Sequence, residues 1–336
     1  MNRVMWALLC VSLSGCWSSG KDEVVAYTAL DAEFSEPIYQ EFSQATGIQV
    51  LPKFDVESTK TVGLVNALIA ESKRPRCDVF WNNEVLNTIR LEKQGLLEAY
   101  QSQAGESFPA AYRSPNGTWR GFAARARILI VNTKLVAEGD RPKSVNDMLD
   151  PKWKGRIGIA KPLFGTTATH IACLFALLGE NEAKAFCRKL KANDVQILSG
   201  NAQVAQSAAS GQIAFGLTDT DDAIGMLEKG QPVAIVYPDR EPDQLGTLFI
   251  PNTVSIIKGC PHPEAARRLV DYLLSPGVEE KLALGPSAQI PLNPTVSVPP
   301  RVETPSTVKA MPVDFEAAAD EWSKAAQFVR DEFLGE

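Results

Sequence analysis

Short apolar runs alternate with amphipathic stretches of ten to fifteen residues along most of this chain, the pattern of βαβ units in a parallel sheet covered by helices. Residues 23–29 read as a strand, followed by a helix over 32–46 closed at Gly47, where a left-handed stop carries no steric penalty. A strand over 48–55 precedes a helix over 58–72. A third strand, 78–81, precedes a helix over 84–94 stopped by Gly95. Residues 120–132 form one long extended run, read as a crossing strand. The alternation then restarts with strand 156–160, helices 166–178 and 182–191, strand 195–198, helix 202–210, strand 212–217 and helix 221–228. Extended runs at 233–237 and 247–257 look like a return path, followed by helices over 263–274 and 277–283. Residues 287–312, rich in Pro, Ser, Thr and Val, lack helical periodicity and read as extended, and 313–333 is a closing amphipathic helix.

These elements predict an α/β fold of two lobes, each a mostly parallel sheet flanked by helices, joined by two hinge crossings. Residues 21–122 with 240–290 form the first lobe and 123–239 with 291–336 the second. Two such crossings permit closure around a ligand.

The first 20 residues add a compartment. Arg3 supplies a positive start, and residues 4–13 are apolar but far shorter than the roughly 20 residues a membrane-spanning helix needs. Leu13-Ser14-Gly15-Cys16 has the small-small-Cys ending of a bacterial lipobox, which predicts cleavage before Cys16 and lipidation of its thiol; residues 17–22 then act as a polar tether. The blander alternative is an ordinary cleaved signal with an incidental cysteine. The chain is expected in the periplasm or at the cell surface, held to a membrane by that lipid.

Losing Arg3 with the leader takes 34 basic side chains to 33 against 40 acidic ones, which argues against nucleic acid as a partner. Of six cysteines, four remain once Cys10 is cleaved off and Cys16 is lipidated. An even number in an oxidising compartment permits two disulfides, with Cys173–Cys187 and Cys77–Cys260 as the candidate pairs; buried free thiols are the open alternative. No C-x-x-C motif occurs, and the two histidines, His170 and His262, do not suggest a histidine metal centre.

In open α/β sheets ligands bind at the carboxyl ends of the strands. Those positions hold Thr28 and Asp31, then Glu57, Ser58 and Thr59, then Asn82, Asn83 and Glu84 in the first lobe. In the second they hold Thr166 and Thr167, then Asn201, then Thr218 to Asp222. None supplies a paired nucleophile and base. Ser58, Thr166 and Asn201 are also ordinary helix N-caps, although a cap leaves N–H groups free to hold an anion. Asp219, Asp221 and Asp222 repel one another unless a cation or a basic partner compensates. Arg125 and Arg127 share one face of the crossing strand, to clamp an anion or to pair with acids.

Val25-Ala-Tyr-Thr-Ala-Leu-Asp31, Cys77-Asp-Val-Phe-Trp-Asn-Asn-Glu84, Arg125-Ala-Arg-Ile-Leu-Ile-Val-Asn132 and Ile250-Pro-Asn-Thr-Val-Ser-Ile-Ile-Lys258, followed by a Pro-Glu-Ala-Ala helix, resemble the ferric-ion-binding type of ABC-transporter substrate-binding protein. The likeness covers nearly the whole mature chain and implies the type 2 periplasmic-binding-protein fold of extracellular solute-binding family 1. It implies a monomer without enzymatic activity that hands its ligand to an ABC permease and its ATPase. The resemblance implies a metal set of Asp31, Asn83 with Glu84 adjacent, Asp221 and Asp222, and an anion set of Arg125, Thr166, Thr167 and Asn201; the acidic cluster adds Asp219 to the metal candidates and the helix start at Ser58 adds that residue to the anion candidates. The implied ligand is Fe3+ with a synergistic anion. The family's tyrosine pair falls here on Asp221 and Asp222, which leaves a carboxylate-rich set suited also to calcium, magnesium or manganese. The alternatives are a phosphorylated organic anion in the same fold, a thiaminase-like transferase using Cys77, and a purely structural lipoprotein.

Overall fold

A computed structural model of the protein describes residues 22–55 and 61–336. The leader with Cys16, and the loop with Glu57, Ser58 and Thr59, lie outside the described residues. The chain begins with β1 (Glu23–Thr28), α1 (Ala32–Thr46), β2 (Gln49–Phe54), α2 (Val62–Ala70), β3 (Val79–Asn82), α3 (Leu86–Lys93) and the short β4 (Leu97–Glu98). The long β5 (Trp119–Asn132) leads to β6 (Ile157–Ala160), α4 (Gly165–Leu178), α5 (Glu180–Ala192), β7 (Gln196–Leu198), α6 (Asn201–Ser210), β8 (Phe215–Asp219), α7 (Thr220–Glu228) and β9 (Val233–Val236). The chain returns through β10 (Phe249–Ile257) to α8 (Pro263–Leu273), α9 (Pro276–Leu284) and α10 (Phe315–Phe328).

The strands lie in the order β2-β1-β3-β10-β5-β8-β6-β7, with β4 on β10 and β9 on β5. β1 pairs parallel to β2 and β3, and β6 parallel to β7 and β8. β5 joins the two sets. Its residues from Trp119 to Ala126 run antiparallel to β10, and those from Arg127 to Asn132 antiparallel to β8 and β9. Every position of β5 is buried, so its alternating side chains serve two cores: Trp119, Leu129 and Val131 in one, Phe122, Ala126, Ile128 and Ile130 in the other. Charges in such a strand need partners, since an isolated buried charge costs several kcal/mol.

Local chemistry explains the elements that carry the ligand-facing loops. α1 ends where expected because Gly47 adopts φ 74° and donates its N–H to Ser43. Gly216 lets α6 lie close on β8 and β6: a Cβ there would meet Val204 Cγ1 at 2.5 Å and the Gly158 carbonyl at 2.7 Å. α10 packs on both α4 and α3, tying the closing helix to elements on either side of β5.

The structure departs from expectation in several places. The strand expected over 212–217 is β8, shifted to end on Asp219. The helix expected to run to 333 gives way to a π-helical turn, Val329–Leu334. The disulfide expectation is corrected, because Cys77, Cys173, Cys187 and Cys260 are all free. Cys77, Cys173 and Cys187 pack as small hydrophobes in one apolar cluster instead of meeting in pairs.

Glu92 on α3 organises the turn before β5. Its carboxylate accepts bonds from Ser114 Oγ (2.5 Å), Thr118 Oγ1 (2.7 Å), Asn116 Nδ2 (3.1 Å) and Trp119 Nε1 (3.0 Å). Burial acts to raise its pKa, but these four donors outweigh it and hold the group below the ordinary 4.5. Its contribution is therefore complete above 4.5 and lost as the pH falls through the lower folded value. The Glu92→Gln variant is expected to be less stable at neutral pH and to show a shallower fall in Tm between about pH 5 and 3. Melting curves across that range check it; parallel curves for the two proteins would contradict the assignment.

Candidate functional site

Asp31 precedes α1 and Asp219 precedes α7, each at an N-cap position whose side chain makes no capping bond. A cavity of about 630 Å³ is lined by Asp31, Glu33 and Phe34 at the start of α1, Ala202 and Gln206 of α6, Asp221, Asp222, Met226 and Glu228 along α7, and Lys229 just after it. Among the described residues the charged lining is five carboxylates and one lysine. Glu228 is paired with Arg301 and Asp221 with Arg125, so part of that negative charge is matched within the protein. Carboxylate oxygens of Asp219, Asp221 and Asp222 lie within 4.8 Å of one another, close enough to share a hard cation wherever their present partners leave an oxygen exposed.

Both arginines expected on one face of β5 are buried and each has a carboxylate partner, although the Nε of Arg127 has no hydrogen-bond partner among the described residues. Arg125 donates through Nε to Asp221 (3.2 Å), Nη1 to the Asn83 carbonyl (2.9 Å) and Nη2 to Asn252 Oδ1 (3.3 Å). Arg127 donates through Nη1 to Asp219 (2.7 Å), Thr166 Oγ1 and Asn201 Oδ1 (both 3.1 Å), and through Nη2 to Thr167 Oγ1 (3.0 Å). Thr166 and Asn201 each bind the second Asp219 oxygen, at 2.6 and 2.9 Å. Neither caps its helix: the N-caps of α4 and α6 are Phe164 and Gly200. The candidate anion residues Thr166, Thr167 and Asn201 therefore gather around Arg127, away from Arg125.

Two expected metal residues are drawn elsewhere. Glu84 is fully buried at the start of α3, accepting from the Leu86 N–H (2.6 Å), the Asn87 N–H (3.1 Å), Asn82 Nδ2 (3.0 Å) and Thr169 Oγ1 (3.0 Å). It is a helix cap that also ties α3 to α4, with burial raising its pKa against the pull of those donors. Asn83 binds Thr61 Oγ1 at 2.6 Å and offers Arg125 only its carbonyl. Thr28 is buried against Tyr39 at 2.6 Å.

Several residues were missed from sequence. Asn252 donates to the Ala123 carbonyl and to Gln289 (2.9 Å) while supporting Arg125. Glu279 accepts the N–H groups of Ala123 (2.6 Å), Leu292 (2.9 Å) and Asn293 (2.6 Å). A polar Asn inside an apolar strand was the available signal for the first. For Glu279 on α9 there was none. His170 on α4 is buried, and burial with Arg127 nearby lowers its pKa to about 3, so the imidazole is neutral. Cys77, the nucleophile of the transferase alternative, is fully buried with its thiol pKa raised well above the ordinary value by burial.

A family model described as "Bacterial extracellular solute-binding protein" matches residues 86–318. The iron uptake protein A1 of Synechocystis is 26% identical over 293 residues, which cover 82% of this chain and 79% of that protein. Iron-bound HitA from Pseudomonas aeruginosa superposes with a TM-score of 0.82 at 25% identity, covering 92% of this chain and 99% of that one. AfuA from Actinobacillus pleuropneumoniae, with exogenous fructose-6-phosphate bound, gives a TM-score of 0.82 at 26% identity, covering 94% and 99%. With a family match that spans most of the chain, and likenesses in sequence and fold to two-lobed binding proteins, this protein belongs to the bacterial extracellular solute-binding proteins.

Proposed function

We propose that the protein is the capture component of an ABC importer and that its cargo is a hard multivalent cation, with ferric iron first, held in the cavity lined by α1, α6 and α7. The observation that carries the reading is charge: among the described residues carboxylates outnumber cations in the charged lining, and the guanidiniums of Arg125 and Arg127 are already matched by Asp221 and Asp219. Names point the same way, since relatives and solved neighbours include an iron uptake protein and an iron-bound binding protein. The exchange of β5 partners between Ala126 and Arg127 supports a hinge between two lobes, placed four residues beyond the boundary after residue 122 that the sequence suggests.

A phosphorylated organic anion is the second reading, favoured by the likeness to AfuA. It would need Arg125 or Arg127 to leave its carboxylate partner. Thermal melts separate the two. A ligand at 100 times its Kd stabilises by about 2.7 kcal/mol. Ferric iron is expected to raise Tm by several degrees and fructose-6-phosphate to leave it unchanged. Stabilisation by the sugar phosphate alone, with no response to ferric iron or any divalent ion, would overturn the cation reading.

The role requires no chemistry on the cargo. The lipobox supports attachment to a membrane through Cys16. Expression of Cys16→Ala in a bacterial host is expected to move the protein from the membrane to the soluble fraction; retention in the membrane fraction would remove the lipid from the account.

A further inference from the structure

We infer that the Asp219 carboxylate is a built-in anion: it fills the position ringed by Arg127, Thr166 and Asn201, so the protein takes no free anion there and holds its cation without one. The second half rests on the cation reading; the first does not.

Three donors from three elements converge on this carboxylate. Arg127 of β5 reaches one oxygen at 2.7 Å, while Thr166 at the start of α4 and Asn201 at the start of α6 reach the other at 2.6 and 2.9 Å. An arginine with hydroxyl and amide donors beside two helix N-termini is the chemistry that binds phosphate, carbonate or a free carboxylate. Here the anion is supplied by the chain. Arg127 and Asp219 are direct partners in the antiparallel β5–β8 register, so strand pairing itself holds the carboxylate beside the guanidinium, and a well-oriented intramolecular group has an effective concentration far above that of a dissolved anion. Both side chains of the pair are almost wholly buried. A free anion would therefore have to enter a desolvated site and evict a tethered competitor of the same charge. The other guanidinium is already engaged through Nε, Nη1 and Nη2 with Asp221, the Asn83 carbonyl and Asn252, so an anion there would have to compete with these partners.

The neutral variant Asp219→Asn and the smaller Asp219→Ser remove the tethered charge and leave Arg127 to find an anion. The probe is inorganic phosphate against chloride at matched ionic strength, without metal, read by thermal melts and calorimetry. Phosphate is expected to leave the wild type unchanged and to bind the variants at least about tenfold more tightly than it binds the wild type. Rescue of a poorly folded variant by phosphate is the same result in another form. Tight phosphate binding by the wild type, or folded variants that gain no affinity, would overturn the proposal. If neither variant folds even with phosphate, the wild-type arm decides: a phosphate-dependent shift overturns it and indifference supports it. A second titration, of ferric iron into wild type with and without bicarbonate, is expected to give affinities within about twofold. A tenfold or larger gain with bicarbonate would refute the anion-free holding of the cation. Absence of iron binding in both buffers would instead fell the cation reading and, with it, the anion-free holding, leaving the phosphate result to judge Asp219 by itself.

Discussion

Arg127→Met is expected to lower stability by about 3–5 kcal/mol, because it leaves Asp219 with a buried negative charge and no guanidinium. At about 2–4 °C per kcal/mol, the slope of domains of 150–250 residues, that is a fall in Tm of roughly 6–20 °C. Loss of packing volume is not the main cause, since methionine fills much of the same space. The double variant Arg127→Met with Asp219→Leu tests this: removing both charges is expected to restore at least about half of the loss, as replacing both members of a buried pair with apolar groups is often neutral. Thr166 and Asn201 keep each other as partners in that variant, through the 2.8 Å bond from Asn201 Nδ2 to Thr166 Oγ1. Denaturant melts of the two variants decide between the causes. A double variant no more stable than the single would show that the site depends on shape and not on charge balance.

The same pair marks the limit of what the sequence could disclose. Elements with a strong local signal were legible: α1 was placed at its observed bounds because an amphipathic run meets a glycine free to take positive φ, and β5 stood out as the chain's long uninterrupted extended run. The shift of β8 has a non-local cause. Thr218 and Asp219 look like turn residues, yet they finish a strand because Arg127, 92 residues earlier, sits opposite and neutralises the acid. Pairing across such a distance leaves no mark in periodicity. The candidate site divides along the same line. Asp31, Asp221 and Asp222 reach one cavity because all three sit at helix starts beyond strand ends, a rule of topology that sequence spacing can apply. Glu84 obeyed that rule too and was turned inward, because a carboxylate two residues before a helix finds backbone N–H groups nearer than any solvent cavity. The arginines were legible as a pair on one face, but whether they face an anion or an acid depends on which side chains the fold delivers to them.

Arg125 and Asp221 give the sharpest separation of cargo classes, because exchanging either one moves the two readings in opposite directions. Arg125 Nε lies 3.2 Å from an Asp221 oxygen, so a cation arriving at that carboxylate meets a fixed positive charge already in place. A unit charge pair about 4 Å apart interacts by about 4 kcal/mol at an effective dielectric near 20. Removing even a third of that opposition corresponds to about a tenfold gain in affinity, or about 1.4 kcal/mol. Arg125→Met is therefore expected to bind ferric iron at least about tenfold more tightly while losing stability in the metal-free state. Asp221→Asn is expected to weaken it by about 100-fold: the stabilisation of about 4.1 kcal/mol at 1,000 times Kd would shrink to about 1.4 kcal/mol at the same metal concentration. For a phosphorylated anion the order reverses, since the guanidinium is then the attractive group and the carboxylate the repulsive one. Calorimetric titration of both variants with ferric iron and with fructose-6-phosphate reads all four cells of this comparison. An Arg125→Met variant that loses iron affinity would mean that the guanidinium attracts part of the cargo, and the lining carboxylates alone would no longer account for what the cavity holds.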